Sequence, residues 1–257
     1  MLDRNGVDKY GPPGFHLAQK EKDYVQHWVL TYLSRAGFGG IFKGGTCLQK
    51  AFGLPRYSED LDFTLNEPSA EPDFEAISAF LSSAGFSGLA WKKVETIAAG
   101  SASAKLRFRG PLYNGVSVSE GAILLEFSKR EKTVLEPEAV VINPPYPDLL
   151  PYQVRVMQKG EIAAEKIRAI MTRASARDLF DLYFLLHQKT RLDLKLTDAK
   201  LEYYDLEFDF RLFSKKVEGL RGKWRKEMTV LVPGNAVGAD YEKIAKHVLD
   251  EAKKQLA

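Results

Sequence analysis

Residues 43–65 read KGGTCLQKAFGLPRYSEDLDFTL, and this stretch decides how the chain folds. After Lys43 comes a Gly-Gly-Thr turn at Gly44, Gly45 and Thr46, then a short helix through Leu48, Ala51 and Phe52, then a loop stopped by Pro55. Thirteen residues separate Thr46 from Asp60, where polar and apolar residues begin to alternate as far as Leu65, as they do in a strand. On such a strand Asp60 and Asp62 share one face, while Leu61 and Phe63 point into the core. Two carboxylates in one small volume repel each other unless a cation lies between them. Hard oxygen ligands with open positions favour Mg2+ bridged to phosphate oxygens. The glycines suit the same chemistry, because a residue without Cβ lets the backbone approach a phosphate and the following helix points its N-terminus at the anion. Thr46 supplies a hydroxyl and is the expected N-cap. Arg56 and Ser58 are candidates for contacting phosphate or for ordering the loop.

Upstream, a Gly/Pro-rich lead gives way to residues 17–36, where Tyr24, Val25, Trp28, Val29, Tyr32 and Leu33 recur at helical spacing. Downstream, residues 72–84 read as a helix ending near Gly85, followed by strand-like runs at about 89–98, 103–109, 120–128 and 138–142. A helix and strand followed by several strands predicts a mixed sheet and an α+β fold. The segment Asn143-Pro144-Pro145-Tyr146-Pro147 continues neither a helix nor a central strand, so a boundary near residue 150 is expected. Residues 1–150 then form one domain, and residues 151–257 a mainly helical second one with helices over 160–172, 176–188 and 237–255.

Composition bounds the function. With 257 residues, 45% of them hydrophobic and 11% aromatic, the chain builds a proper core. Thirty-seven Lys and Arg against 34 Asp and Glu leave a formal charge of +3, too small to mark a nucleic-acid binder by bulk charge. The single cysteine, Cys47, excludes an internal disulfide framework and is expected to be buried. No signal-peptide pattern opens the sequence, and no run approaches the roughly 18 apolar residues of a membrane span, so a soluble cytoplasmic protein is expected. His16, His27, His187 and His247 have no metal-ligand spacing and read as structural. The basic stretch Lys215, Lys216, Arg221, Lys223, Arg225 and Lys226, interleaved with Phe213 and Trp224, reads either as an RNA-backbone surface with aromatic stacking or as a solvated face.

A second informative stretch is residues 161–186, EIAAEKIRAIMTRASARDLFDLYFLL. Lys166 and Arg168 lie in a helix whose apolar stripe is Ile162, Ile167 and Ile170, which by itself describes a solvated face. Asp178 and Asp181, three apart near a helix N-terminus, are explained by the helix dipole alone.

Together, the Gly-Gly turn followed by Asp-x-Asp on the next strand resembles the DNA polymerase β-like nucleotidyltransferases. The fuller 43–65 string and the Lys, Arg and Arg-Asp-x-x-Asp series at Lys166, Arg173, Arg177, Asp178 and Asp181 are similar to the AbiEii/AbiGii toxin family, which includes the MenT toxins. The likeness covers residues 39–65 and 120–188. It implies a nucleotidyltransferase core whose active-site cleft is completed by the C-terminal domain. It also implies a third metal-binding acid, for which Glu126 in the apolar run 122–128 is the candidate. Glu126 otherwise faces water on an edge strand or pairs with Lys129 or Arg130, and Glu120 is the weaker substitute.

The resemblance further implies that Lys166 reaches the triphosphate and that Asp178 orients a cation or this lysine, with Lys159 and Asp181 as alternates and Arg177 structural. The expected reaction transfers an NMP from an NTP to an acceptor hydroxyl. Two Mg2+ ions are held by Asp60, Asp62 and Glu126, and Lys43, Gly44, Gly45, Thr46, Arg56, Ser58 and Lys166 bind the nucleotide. By the same likeness the acceptor is an RNA, a tRNA 3′ end, and the protein is a toxin opposed by a cognate antitoxin. The alternatives are a small-molecule, aminoglycoside-type nucleotidyltransferase and a non-catalytic nucleotide-binding protein.

Overall fold

In the computed structural model, which describes residues 1–66, 72–94, 101–233 and 240–257, the first strand, β1 (Ile41–Lys43), follows helices α1 (Arg4–Tyr10) and α2 (Leu17–Arg35). Then come α3 (Gly44–Phe52), β2 (Leu61–Thr64), α4 (Phe74–Ser83), β3 (Ser87–Val94), β4 (Ser101–Arg109), β5 (Gly121–Ser128), β6 (Glu138–Ile142) and β7 (Tyr152–Val156). The remainder is helical: α5 (Lys159–Thr172), α6 (Ala176–His187), α7 (Leu194–Leu201), α8 (Phe210–Glu218), α9 (Arg221–Leu231) and α10 (Tyr241–Leu256).

The chain divides into two units. One comprises Met1–Gly53, Tyr57–Lys132 and Pro137–Val156; the other comprises Leu54–Arg56, Thr133–Glu136 and Met157–Ala257. The first unit holds a seven-stranded sheet, among the described residues, in the order β3-β4-β5-β2-β1-β7-β6. It is mixed, as the α+β expectation requires: β2 runs antiparallel to β1 and parallel to β5, and β1 runs parallel to β7.

β2 is the middle strand, and its alternation does what the sequence predicts. Leu61 and Phe63 are buried while Asp62 points the other way. Phe63 lies in an aromatic layer with Phe42 on β1, ring centroids 5.3 Å apart, and with Phe127 on β5, stacked at 5.7 Å. Helices α2 and α4 cover this face, Phe74 of α4 standing 6.3 Å from Phe127 and Trp28 of α2 standing 5.6 Å from Phe80 of α4. The second unit packs α5 against α6, α7 and α8, with α10 against α6 and α8.

Four differences from the sequence reading have local causes. The lead contains a helix, α1, because Asp3 caps it by accepting from the Gly6 N–H at 2.7 Å. Residues 152–156 form a strand, β7, although they follow the proline segment; Pro151 precedes the ladder and removes no bond from it. Asp60 lies one residue ahead of β2, its carbonyl taken by the Thr46 hydroxyl instead of by a ladder partner. Phe213 and Trp224 are buried, so they support α8 and α9 from inside and offer no stacking surface. The expected strand at 89–98 and helix at 237–255 are seen as β3 and α10; residues 95–98 and 237–239 lie outside the described residues.

The aromatic layer sets the seat of β2. Phe63→Ala is expected to destabilise the protein by about 3–5 kcal/mol, the usual range for emptying a buried phenylalanine site. Urea denaturation of the two proteins, followed by circular dichroism, measures it.

Candidate active site

In the first unit the site is built on β2, β5 and the start of α3. Asp62 is in register with Glu126 across the parallel β2–β5 pair, and with Lys43 across the antiparallel β1–β2 pair. Neighbours in register share a face, so Asp62 and Glu126 stand side by side on strands about 4.8 Å apart. Glu126 is exposed between buried Leu125 and Phe127, which is why an acid sits in that apolar run. Glu120 is engaged by Arg107 and by Arg109, the latter at 2.9 Å, and lies away from this pair at the far end of the β4–β5 ladder.

Gly44, the first residue of α3, closes the other side. Its φ is +76°, and a Cβ there would overlap the Asp62 carboxylate. Glycine is therefore needed twice, for the left-handed backbone and for the close approach. The N-cap of α3 is Lys43, whose side chain makes no capping bond, and Thr46 is not the cap as expected. The Thr46 hydroxyl instead donates to the Asp60 carbonyl, which ties the helix to the chain just ahead of β2. Cys47 is buried behind the turn; burial pushes its thiol well up, and the nearby Asp62 charge adds to this, so it is no nucleophile.

Among the described residues no three His, Cys, Asp or Glu side chains stand close enough together to hold a metal ion by themselves. Asp62 and Glu126 nevertheless offer hard oxygens on one face beside an uncapped helix start. That donor set suits Mg2+, which is held by one or two carboxylates together with phosphate oxygens.

The second unit carries the other predicted residues, as a buried ionic cluster. Lys166 of α5 is only 7% exposed and lies 3.0 Å from Asp178 and 2.7 Å from Asp181, both on α6. Arg173 forks onto Asp178 through two bonds of 2.9 Å, and Arg56 forks onto Asp181 through two of 2.6 Å. Arg56 is itself buried, so its fork orders the loop Leu54–Arg56. Burial works against the charge on Lys166, but Asp181 and Asp178 outweigh it and raise its pKa above the ordinary lysine value. Burial likewise opposes ionisation of Asp178, but Lys166 and Arg173 hold its carboxyl well below the usual carboxylate range. Lys166 is thus no solvated-face residue. Lys159, its alternate, donates to Gln188 at 3.4 Å and is not among the residues that meet Asp178 or Asp181 in the ion pairs above.

Residues 32–254 match the family model described as nucleotidyl transferase AbiEii toxin, type IV toxin-antitoxin system. The chain belongs to the AbiEii family. It is a nucleotidyltransferase toxin of a type IV toxin-antitoxin system, as the 43–65 and 161–186 stretches imply. Among solved structures, this AbiEii protein is similar to MenT4, a nucleotidyltransferase toxin from Mycobacterium tuberculosis, with TM-score 0.61 and 21% identity over 100% of both chains. It is also similar to JHP933 from Helicobacter pylori, with TM-score 0.59 and 22% identity over 90% of this chain and 88% of that one. At such identities the likeness shows the fold. No curated protein sequence matches the chain.

Sequence reasoning passed over Asp23 and Gln26 of α2. Both are buried polar residues in an amphipathic helix, and only their place on the same side as Val29 and Leu30 set them apart. Asp23 accepts from Lys50 at 2.8 Å, Gln49 at 3.1 Å and Tyr146 at 2.8 Å. Burial pulls the adjacent His27 down to about 3, with the Lys50 charge helping, so this imidazole is neutral and structural. Among the described residues no helix is long and apolar enough to cross a membrane.

Two outcomes are expected of this AbiEii protein. Gly44→Ala incurs about 1–2 kcal/mol of left-handed backbone strain and displaces Asp62. Transfer then falls about 100-fold, as an ångström of misplacement does; initial rates of nucleotide transfer check it. Because the pKa of Asp178 is depressed in the folded protein, its stabilising effect is full above pH ~4 and is lost as pH falls towards the folded value. Lys166→Met, by removing the cation, should cost about 3 kcal/mol at neutral pH. It should also move the acid unfolding limb to higher pH in a series of urea midpoints.

Proposed function

We propose that the protein transfers an NMP from an NTP to the terminal hydroxyl of an RNA, a tRNA 3′ end, with Mg2+ held by Asp62 and Glu126 together with the phosphate oxygens of the bound nucleotide. Asp60 joins them when the nucleotide is in place. The observation that carries the proposal is the placement of Asp62: in register with Glu126 on one side and packed against Gly44, at the start of α3, on the other. When bound, the divalent cation supplies the positive charge that neutralises phosphate oxygens. Gly44, Gly45 and Thr46 receive the β and γ phosphates on the N–H groups of the uncapped first turn. Thr46 contributes its backbone there, since its hydroxyl is spent on Asp60.

The acceptor oxygen attacks the α-phosphorus in line, a P–O bond forms, the bond to the β-phosphate breaks and pyrophosphate leaves. Glu126, exposed beside Asp62, takes the proton of the attacking hydroxyl. The roles of Lys166 and Asp178 in catalysis are retained in the proposal on the family resemblance. The tRNA acceptor rests on that resemblance too, because a fold and its donor chemistry do not determine an acceptor.

The test incubates the protein with total RNA and each labelled NTP in Mg2+, then sequences the labelled 3′ ends. Label at tRNA 3′ ends, abolished by EDTA, is the expected result. Asp62→Asn should reduce it at least about 100-fold, since even outer partners of a metal ligand are worth about 10–100-fold. Label found only on small molecules, or full activity in Asp62→Asn, overturns the proposal.

A further inference from the structure

Three consecutive carbonyls lead into the catalytic strand, and each is held by a side chain from a helix. Gln26 of α2, 0% exposed, donates through Nε2 to Ser58 O at 3.1 Å and to Glu59 O at 2.7 Å. The Thr46 hydroxyl of α3 takes the third, Asp60 O. One turn before Gln26, Asp23 holds the far end of α3 through Gln49 and Lys50. The same side of α2 therefore grips both parts of the site: the helix whose first turn faces Asp62, and the chain that delivers Asp60 and Asp62.

Only an amide suits position 26. It brings two N–H donors to two adjacent acceptors without a net charge, whereas a carboxylate has no donor and an ammonium brings a buried charge. With two carbonyls to satisfy, the nitrogen must face them, so the amide orientation follows from its partners. The Oε1 of Gln26 is buried with no hydrogen-bond partner among the described residues. An unpaired buried oxygen costs stability, and this offsets part of what the two bonds to the Ser58 and Glu59 carbonyls contribute to folding.

We infer that Gln26 is a positioning residue for nucleotidyl transfer, fixing Asp60 and Asp62 relative to the first turn of α3 by holding the Ser58 and Glu59 carbonyls. The inference rests on the assignment of Asp60 and Asp62 as the reacting carboxylates.

The experiment uses the full chain and four proteins: the parent, Gln26→Met, Gln26→Asn and Asp62→Asn. Met keeps the volume and loses the donor; Asn keeps the amide but is one methylene too short to reach. Both are expected to lower kcat about 10–100-fold, the penalty of a shifted reacting group, while the KM for NTP stays near the parent's and the melting temperature falls only modestly, leaving the protein folded at the assay temperature. In the metal-free proteins, hydrogen exchange of the amides in residues 57–62 should quicken, while those of β4 and β5 keep parental rates. A parental kcat, or a loss of activity that merely follows a general fall in melting temperature and a general rise in exchange, overturns the inference. Should Gln26→Met fail to fold, Gln26→Asn carries the same expectation. If Asp62→Asn is inactive and the Gln26 variants are not, this inference alone falls. If Asp62→Asn is active, the assignment of the carboxylates falls with it.

Discussion

The close approach of the Asp62 carboxylate to the first residue of α3 constrains the rest of the first unit. A backbone with φ of +76° and no room for a Cβ admits only glycine, and it places an acid at the positive end of a helix, where the dipole favours it. That contact requires β1 and β2 to pair antiparallel, with α3 folded back between them. It also requires Leu61 and Phe63 to anchor β2 from behind while Asp62 looks outward. The aromatic layer of Phe42, Phe63 and Phe127 supplies the anchor, and α2 and α4 cover it.

The two units treat buried polarity differently. In the second, two lysine or arginine side chains meet each aspartate: Lys166 and Arg173 at Asp178, Lys166 and Arg56 at Asp181. Lys200 reverses the ratio, one cation lying 2.6 Å from Glu161 and 3.8 Å from Glu165, while Glu161 also accepts from the backbone of Val134 and Leu135. In the first unit most of the buried polar groups around α2 are neutral donors aimed at one acid or at carbonyls: Tyr146 and Gln49 at Asp23, Gln26 at the chain before β2. Charge pairing of the first kind locks helices to one another, whereas directed bonds of the second kind fix where an irregular segment runs.

Much of this was legible in residues 43–65. A doublet of glycines and a period of two are local signals, and the fold uses them locally, the alternation holding over Leu61 to Phe63 and not over the whole of the expected Asp60 to Leu65. Glu126 stood out because a charge in an apolar strand needs a reason. Gln26 did not, since a glutamine in an amphipathic helix reads as solvated, and its burial depends on a segment more than thirty positions away. The role of Thr46 was misassigned because its partner, the Asp60 carbonyl, is supplied by chain geometry that no side-chain pattern reports. Phe213 and Trp224 misled for the opposite reason: the basic residues around them drew attention to a surface, while the rings face inward.

The parallel pairing of β2 with β5 has a consequence for how the chain is made. Asp62 and Glu126 are 64 positions apart, and the connection between their strands must run through α4, β3 and β4 before the two can meet. Parallel neighbours cannot be joined by a tight turn, so no fragment ending before residue 126 contains both acids. On the ribosome the nascent chain therefore lacks the Asp62–Glu126 neighbourhood until the fifth strand has emerged from the exit tunnel and can pair with the second.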